Sequence, residues 1–354
     1  SAGEVTVDGF EIKNGDAGTE NGGGILVDVD TDSRVAIRDN LLHHNTAAVG
    51  GGIWADLDVR SDLAITDNDV MTNTADEAGG IWADVYLSGT LTLDGNQIVS
   101  NTANSKSGGF YARVGTFGRF SVDDNTVLRN TAGADDLNDR PGGLRFEAEG
   151  NTHGTFDRNQ VVGNRAGRAG GGWIDLEDNV TMTLNDDVFE DNAAAGEYGG
   201  LRLELDANAR VVGDRLTLAD NTAAGNYGGA WVDLSEGCAL TITESITVTA
   251  NQAGGGSGGI YIRAQYARSS TPNMVVFNNR ALNGSGGGFH FYGSDGSVFD
   301  APNAMVISNT ASGGHGGGGY LSVDEGSFAD LSGSRFERNA GSSGGGLYNS
   351  THRD

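Results

Sequence analysis

An asparagine followed by small residues returns along nearly the whole chain: Asn14, Asn45, Asn73, Asn101, Asn130, Asn164, Asn192, Asn221, Asn251, Asn279, Asn309 and Asn339. The mean step is about 29.5 residues, with most steps between 28 and 31 and one of 34. Self-similarity at 20–50 residues is the mark of a repeat architecture, and it overrides the two-domain expectation that 354 residues would otherwise raise. Shortly after each Asn comes a Gly-Gly pair and then an alternating apolar stretch, as in Gly51-Gly52-Ile53-Trp54-Ala55-Asp56.

Each repeat holds three short runs of period two and no helical run. In the second repeat they are residues 52–57, 63–66 and 69–72. Period two means strand. Three strands per repeat joined by tight turns predict an all-β parallel β-helix, a single solenoid domain over residues 1–354 with about 12 coils of 28–31 residues. A leucine-rich repeat lacks its Leu frame here, and a propeller blade needs about 40–45 residues. At roughly 4.8 Å per coil the rod is about 58 Å long. The 59 glycines then belong to turns, with Gly-Gly supplying positive φ. The column Asn45, Asn73, Asn101, Asn130, Asn164, Asn192, Asn221, Asn251, Asn279, Asn309 and Asn339 is expected to stack as a structural ladder of amides.

Gly51-Gly52-Ile53, Gly79-Gly80-Ile81, Phe189-Glu190-Asp191-Asn192 and Phe336-Glu337-Arg338-Asn339 carry a further signal. This grammar resembles the Gly-Gly-Ala-Ile and Phe-x-x-Asn repeats of chlamydial polymorphic outer-membrane proteins. The resemblance implies a right-handed β-helix of the pectate-lyase-like fold group at a cell surface, often an adhesin. Polysaccharide lyases and hydrolases share that architecture, and fold alone does not choose among the functions.

The strand after each Gly-Gly alternates faces. Its first and third residues, such as Ile53/Ala55 and Phe289/Phe291, point inward. Its second residues point out and read Leu26, Trp54, Trp82, Tyr111, Arg145, Trp173, Arg202, Trp231, Tyr261, His290, Tyr320 and Tyr348, with all four tryptophans in one column. The fourth residues also point out: Asp28, Asp56, Asp84, Arg113, Glu147, Asp175, Glu204, Asp233, Arg263 and Tyr292. An aromatic column beside an acidic one is expected to form either a stacked, stiffening strip or a water-exposed contact surface for glycans or proteins. Like charges on consecutive coils repel. Solvation, local arginines or weakly bound Ca²⁺, which takes oxygen ligands, would relieve them. No cofactor is implied.

A net charge of −26 opposes nucleic acid. One cysteine, Cys238, excludes a disulfide framework. Carboxylate pairs arise trivially in a ladder, and enzymes on such a fold need a cleft built by long turns. The one long insertion, residues 132–141, has no His or Lys. The expectation is a non-enzymatic, extracellular or cell-surface structural and adhesive rod without membrane insertion. Its partners are itself or other surface proteins. Polysaccharide binding or cleavage on the same face is the alternative. The chain opens in a second strand and closes after a first strand, with no capping helix. Its uncapped ends are therefore complementary, which suits head-to-tail stacking or excision from a longer β-helix.

Overall fold

In the computed structural model the described residues are 3–133, 141–324 and 326–352. They form an all-β parallel solenoid of three sheets, as the period predicts. Twelve strands that follow the Gly-Gly pairs make the Gly-Gly sheet, among them Ile53–Leu57. A long sheet of 22 strands takes two segments from most coils, such as Asp62–Thr66 and Asp69–Met71. A short sheet of 11 strands holds the segment after the ladder asparagine, such as Thr74–Glu77. The pairings between coils are parallel, as in Ile53↔Ile81↔Phe110, and the register shifts only between Gly213 and Arg215 and between Ala311 and His315 among the described residues. Most of the insertion at 132–141 lies outside the described residues.

The core is one continuous stack. Ile53, Ala55 and Leu57 from the Gly-Gly sheet meet Leu63, Ile65 and Val70 from the long sheet, all essentially without solvent contact. Each buried aliphatic side chain of this kind is worth about 1.5–3 kcal/mol.

The expected asparagine ladder runs unbroken from Asn45 to Asn339. Asn73 shows the unit: its Nδ2 donates to Leu42 O on the preceding coil at 3.0 Å and to Asn101 Oδ1 on the next at 3.1 Å. Its backbone N–H also donates to Asn101 Oδ1, at 2.9 Å. Both donors and both acceptor sites of each interior amide are used. Asn14 is not part of the column. It stands one residue early, at φ 56°, and Gly15 holds the ladder position, giving its N–H to Asn45 Oδ1 at 2.9 Å.

A second ladder lies five residues upstream of the first: Asn40, Asn68, Asn96, Asn125 and Asn159, linked Nδ2 to Oδ1 at 3.0–3.1 Å. It ends on Asp187, whose Oδ1 accepts from Asn159 Nδ2 at 3.0 Å. This ladder makes the corner between the two segments of the long sheet. In the two coils after it stops the corner goes too. These coils carry buried Leu216 and Ile246 there, and Arg210–Ala219 and Ala239–Thr249 run through as single strands. Later coils are again split, as at Arg268–Ser270 and Val275–Phe277.

The Gly-Gly pair has a different cause from the one expected. Positive φ belongs to the residue before it, for example Gly50 at 66° and Ala78 at 52°. The pair itself is forced by proximity of the next coil. A Cβ on Gly51 would lie 2.5 Å from Gly79 O, and one on Gly80 would lie 2.5 Å from Gly109 O. No side chain fits at those distances.

Two stability predictions follow from the ladders. Asn130→Ala takes the acceptor from Asn101 and the donor from Ile98 O, a cost of about 3 kcal/mol or more. Asn339→Ala, on a part-buried end rung, costs about 1 kcal/mol. Urea midpoints by circular dichroism compare the two. Asp187 is fully buried, and burial pushes its carboxyl well above the usual range, so the folded state holds a proton that the unfolded state releases. Stability therefore falls as pH rises above the unfolded carboxylate value of about 4. Asp187→Asn should raise the melting temperature at pH 7–8 and leave it unchanged near pH 3.

Candidate functional site: the outer face of the Gly-Gly sheet

Register places every expected face residue. Leu26, Trp54, Trp82, Tyr111, Arg145, Trp173, Arg202 and Trp231 follow one another on successive coils. Tyr261, His290, Tyr320 and Tyr348 continue the column. The acidic column is equally continuous, from Asp28 through Asp56, Asp84, Arg113, Glu147, Asp175 and Glu204 to Asp233.

The strip is not uniformly open to water. Tyr111, Trp173 and Trp231 are only 4%, 5% and 8% exposed. Trp173 is held between two guanidiniums, with Arg145 Cζ 3.8 Å and Arg202 Cζ 3.7 Å from its ring centroid. Trp82 stacks on Tyr111 at 4.3 Å, and Lys106 Nζ lies 5.7 and 5.2 Å from the two rings. Further along, Tyr261, His290 and Tyr320 follow at 4.7 and 4.5 Å. Burial pulls the His290 imidazole down to about 4, so it stays neutral within the stack.

Two residues that close this face escaped the sequence reading. Tyr198 and Tyr227 precede Gly-Gly pairs and take φ of 62° and 64°, where other coils place glycine. Their rings stack on each other at 5.5 Å and cover Trp231 at 5.4 and 6.3 Å. A bulky residue in this backbone region costs about 1–2 kcal/mol, which the aromatic cluster offsets. The readable signal was a tyrosine at a position that Gly50, Gly286 and Gly316 occupy elsewhere.

Arginines neutralise most of the acidic column. Arg113 grips Asp84 with two bonds of 3.0 and 2.7 Å. Arg145 bonds Glu147, which also accepts Tyr111 Oη at 2.6 Å. Arg202 bonds Glu204 at 2.9 Å, and Arg263 bonds Asp233. Asp56 and Asp175 have no such partner among the described residues. Burial, with Asp84 and Asp28 nearby, lifts Asp56 to about 6. Burial, with Glu204, Glu177 and Glu147 around it, lifts Asp175 to about 7. Glu147, Glu149, Asp175 and Glu177 line a recess of about 130 Å³ with Arg145. Among the described residues no group of three or more His, Cys, Asp or Glu is arranged to hold a metal ion. The face therefore divides. Its middle is closed by its own packing, and its first coils remain open at Leu26, 54% exposed, and half-buried Trp54.

Comparison with protein-family models, curated proteins and solved structures gave no match.

The raised Asp175 carboxyl predicts a pH dependence. The folded value near 7 lies above the unfolded value of about 4, so stability falls as pH rises between them. Asp175→Asn should equal the native chain at pH 4 and exceed it at pH 8 by on the order of 2 kcal/mol, after allowance for partial exposure. Thermal melts at the two pH values check this.

Proposed function

We propose that this protein is an extracellular or cell-surface structural and adhesive rod that associates with copies of itself or with other surface proteins. The observation that carries the reading is mechanical. Three sheets and one amide ladder tie the coils together along the rod, with a second ladder as far as Asp187, and its side-chain columns are laid out at a fixed spacing. Such a body suits spacing and contact better than turnover. The open contact surface is the first part of the Gly-Gly face, at Leu26, Trp54, Asp28 and Asp56. The end layers add a second surface, because Phe10 in the first coil and Phe328 and Leu347 in the last expose apolar area. A further coil, from another copy or from the same polypeptide, would cover it. The reading keeps the right-handed, pectate-lyase-like β-helix and the surface-protein repeat grammar as its setting.

One observation favours polysaccharide cleavage as the second reading. A carboxyl near pKa 7, Asp175, neighbours Glu147 and Glu204 on adjacent coils, at a rung spacing of about 4.8 Å that approaches the ~5–5.5 Å of retaining glycosidases.

Light scattering and electron microscopy over a micromolar to millimolar range should show elongated assemblies growing with concentration. Strictly monomeric rods at the highest concentration, together with reducing-sugar release that Asp175→Asn abolishes, would replace the first reading by the second.

A further inference from the structure

The Trp173 sandwich has an empty counterpart on the long sheet. Arg145 and Arg202 lie two coils apart, with Trp173 on the coil between them. Arg210 and Arg268 also lie two coils apart, with Ala239 between them. Both arginines are exposed. Here a small side chain stands where the sandwich needs a ring, and Gly237 beside it adds no bulk. The result is a groove of about 470 Å³ lined by Arg210, Cys238, Ala239, Tyr266, Arg268 and Asp295, the last forming no ion pair with either arginine among the described residues.

Three contrasts mark this groove as unsatisfied. On the Gly-Gly face, Arg113, Arg145, Arg202 and Arg263 each bond a carboxylate. Arg210 and Arg268 make no ion pair or ring contact among the described residues. The residues two positions further on the three strands, Val212, Thr241 and Ser270, are uncharged. Tyr266 is 62% exposed at φ 52°, whereas Tyr198 and Tyr227 in the same backbone region pack against Trp231.

The complementary element is on the other face. Trp54 is half-buried, and Asp56 follows two residues later on the same strand, the same relation as Trp173 to Asp175. Trp82 is already stacked on Tyr111, and Trp54 has no such ring partner among the described residues. Asp28, Asp56 and Asp58 near it form no ion pair among the described residues.

We infer that the occupant of the groove is Trp54 of a second copy of this chain. Its indole seats between Arg210 and Arg268 over Ala239, edge against Tyr266, and its Asp56 and Asp58 supply the carboxylates that the two guanidiniums lack. Cation–π contact of this kind strengthens as water is excluded. The two patches are different surfaces six coils apart, so the contact is heterologous and does not close. It builds rods laterally with a stagger of about 29 Å, six rungs of roughly 4.8 Å. This inference rests on the self-association proposed above and names its surfaces.

Ala239→Trp fills the groove from within the same chain at a solvent-facing position, and Trp54→Ala removes the occupant. Sedimentation equilibrium of the native chain and both variants should show association weakened at least tenfold in each. A Trp54→Cys/Ala239→Cys chain should form intermolecular disulfides under mild oxidation, against a background set by buried Cys238 alone. Association that persists unchanged in both variants overturns this inference and leaves self-association standing through another surface. A native chain that never associates overturns both. A monomeric chain whose groove binds an anionic oligosaccharide, lost in Ala239→Trp, assigns the groove to a glycan instead.

Discussion

Everything in this rod depends on burying a primary amide with all of its hydrogen bonds made. An asparagine offers two donors and two acceptor sites, and a stack of parallel coils offers the matching set. One carbonyl lies on the coil before, one amide oxygen on the coil after, and two N–H groups return to the oxygen. Asn73 and Asn101 meet this condition in full. A buried polar group left unpaired costs about 1–3 kcal/mol, so each rung constrains the next. The ladder transmits register along the rod more strictly than apolar packing does, because aliphatic side chains tolerate small slips and amides do not. The second ladder shows the consequence of its loss. After Asp187 the corner residue is Leu216, and the pair of strands becomes one continuous strand of ten residues with a register shift between Gly213 and Arg215.

The Gly-Gly pairs belong to the same constraint. The ladder asparagine reaches into the core beside the turn, so that a Cβ on Gly80 would lie only 3.0 Å from Asn101 Nδ2. A Cβ on the first glycine would meet two carbonyls of the next coil, Gly79 O at 2.5 Å and Thr74 O at 2.7 Å in the case of Gly51. The amide column and the glycine column are thus two sides of one close approach. They recur together along the sequence for that reason.

That coupling explains what could be read from the residues alone. Repeat length, the parallel solenoid, the Asn45 to Asn339 column, and the inward and outward columns follow from spacing and period two. Asn14 misled because a one-residue offset is invisible without the strand pairing that aligns Glu11 with Leu41. The second ladder was visible as a constant offset of five, from Asn40/Asn45 to Asn159/Asn164, but asparagine is common in turns and carried no separate signal. Exposure was the least legible property. Alternation tells which way Trp173 points. It does not tell that Arg145 and Arg202, one rung away on each side, fold over it. Nor does period two reveal tyrosines that leave the turn at positive φ and lie across Trp231.

Charge decides how such rods meet. The chain carries a net −26, and many of its arginines are engaged internally, as Arg113 is by Asp84 and Arg158 by Asp124. Two rods therefore repel at long range, a repulsion confined to about 8 Å at physiological salt. Inside that distance, contacts between individual side chains outweigh the mean charge. Guanidiniums and aspartates that form no ion pair among the described residues, Arg210 and Arg268 on one face and Asp56 and Asp58 on the other, are the groups whose energies would change most on the proposed contact. With the proposed contact, their separation along the rod would leave a free groove on one copy and a free tryptophan on the other. On the proposed contact, net repulsion would set the concentration and salt at which growth begins, and a heterologous geometry would leave nothing within the rod to stop it.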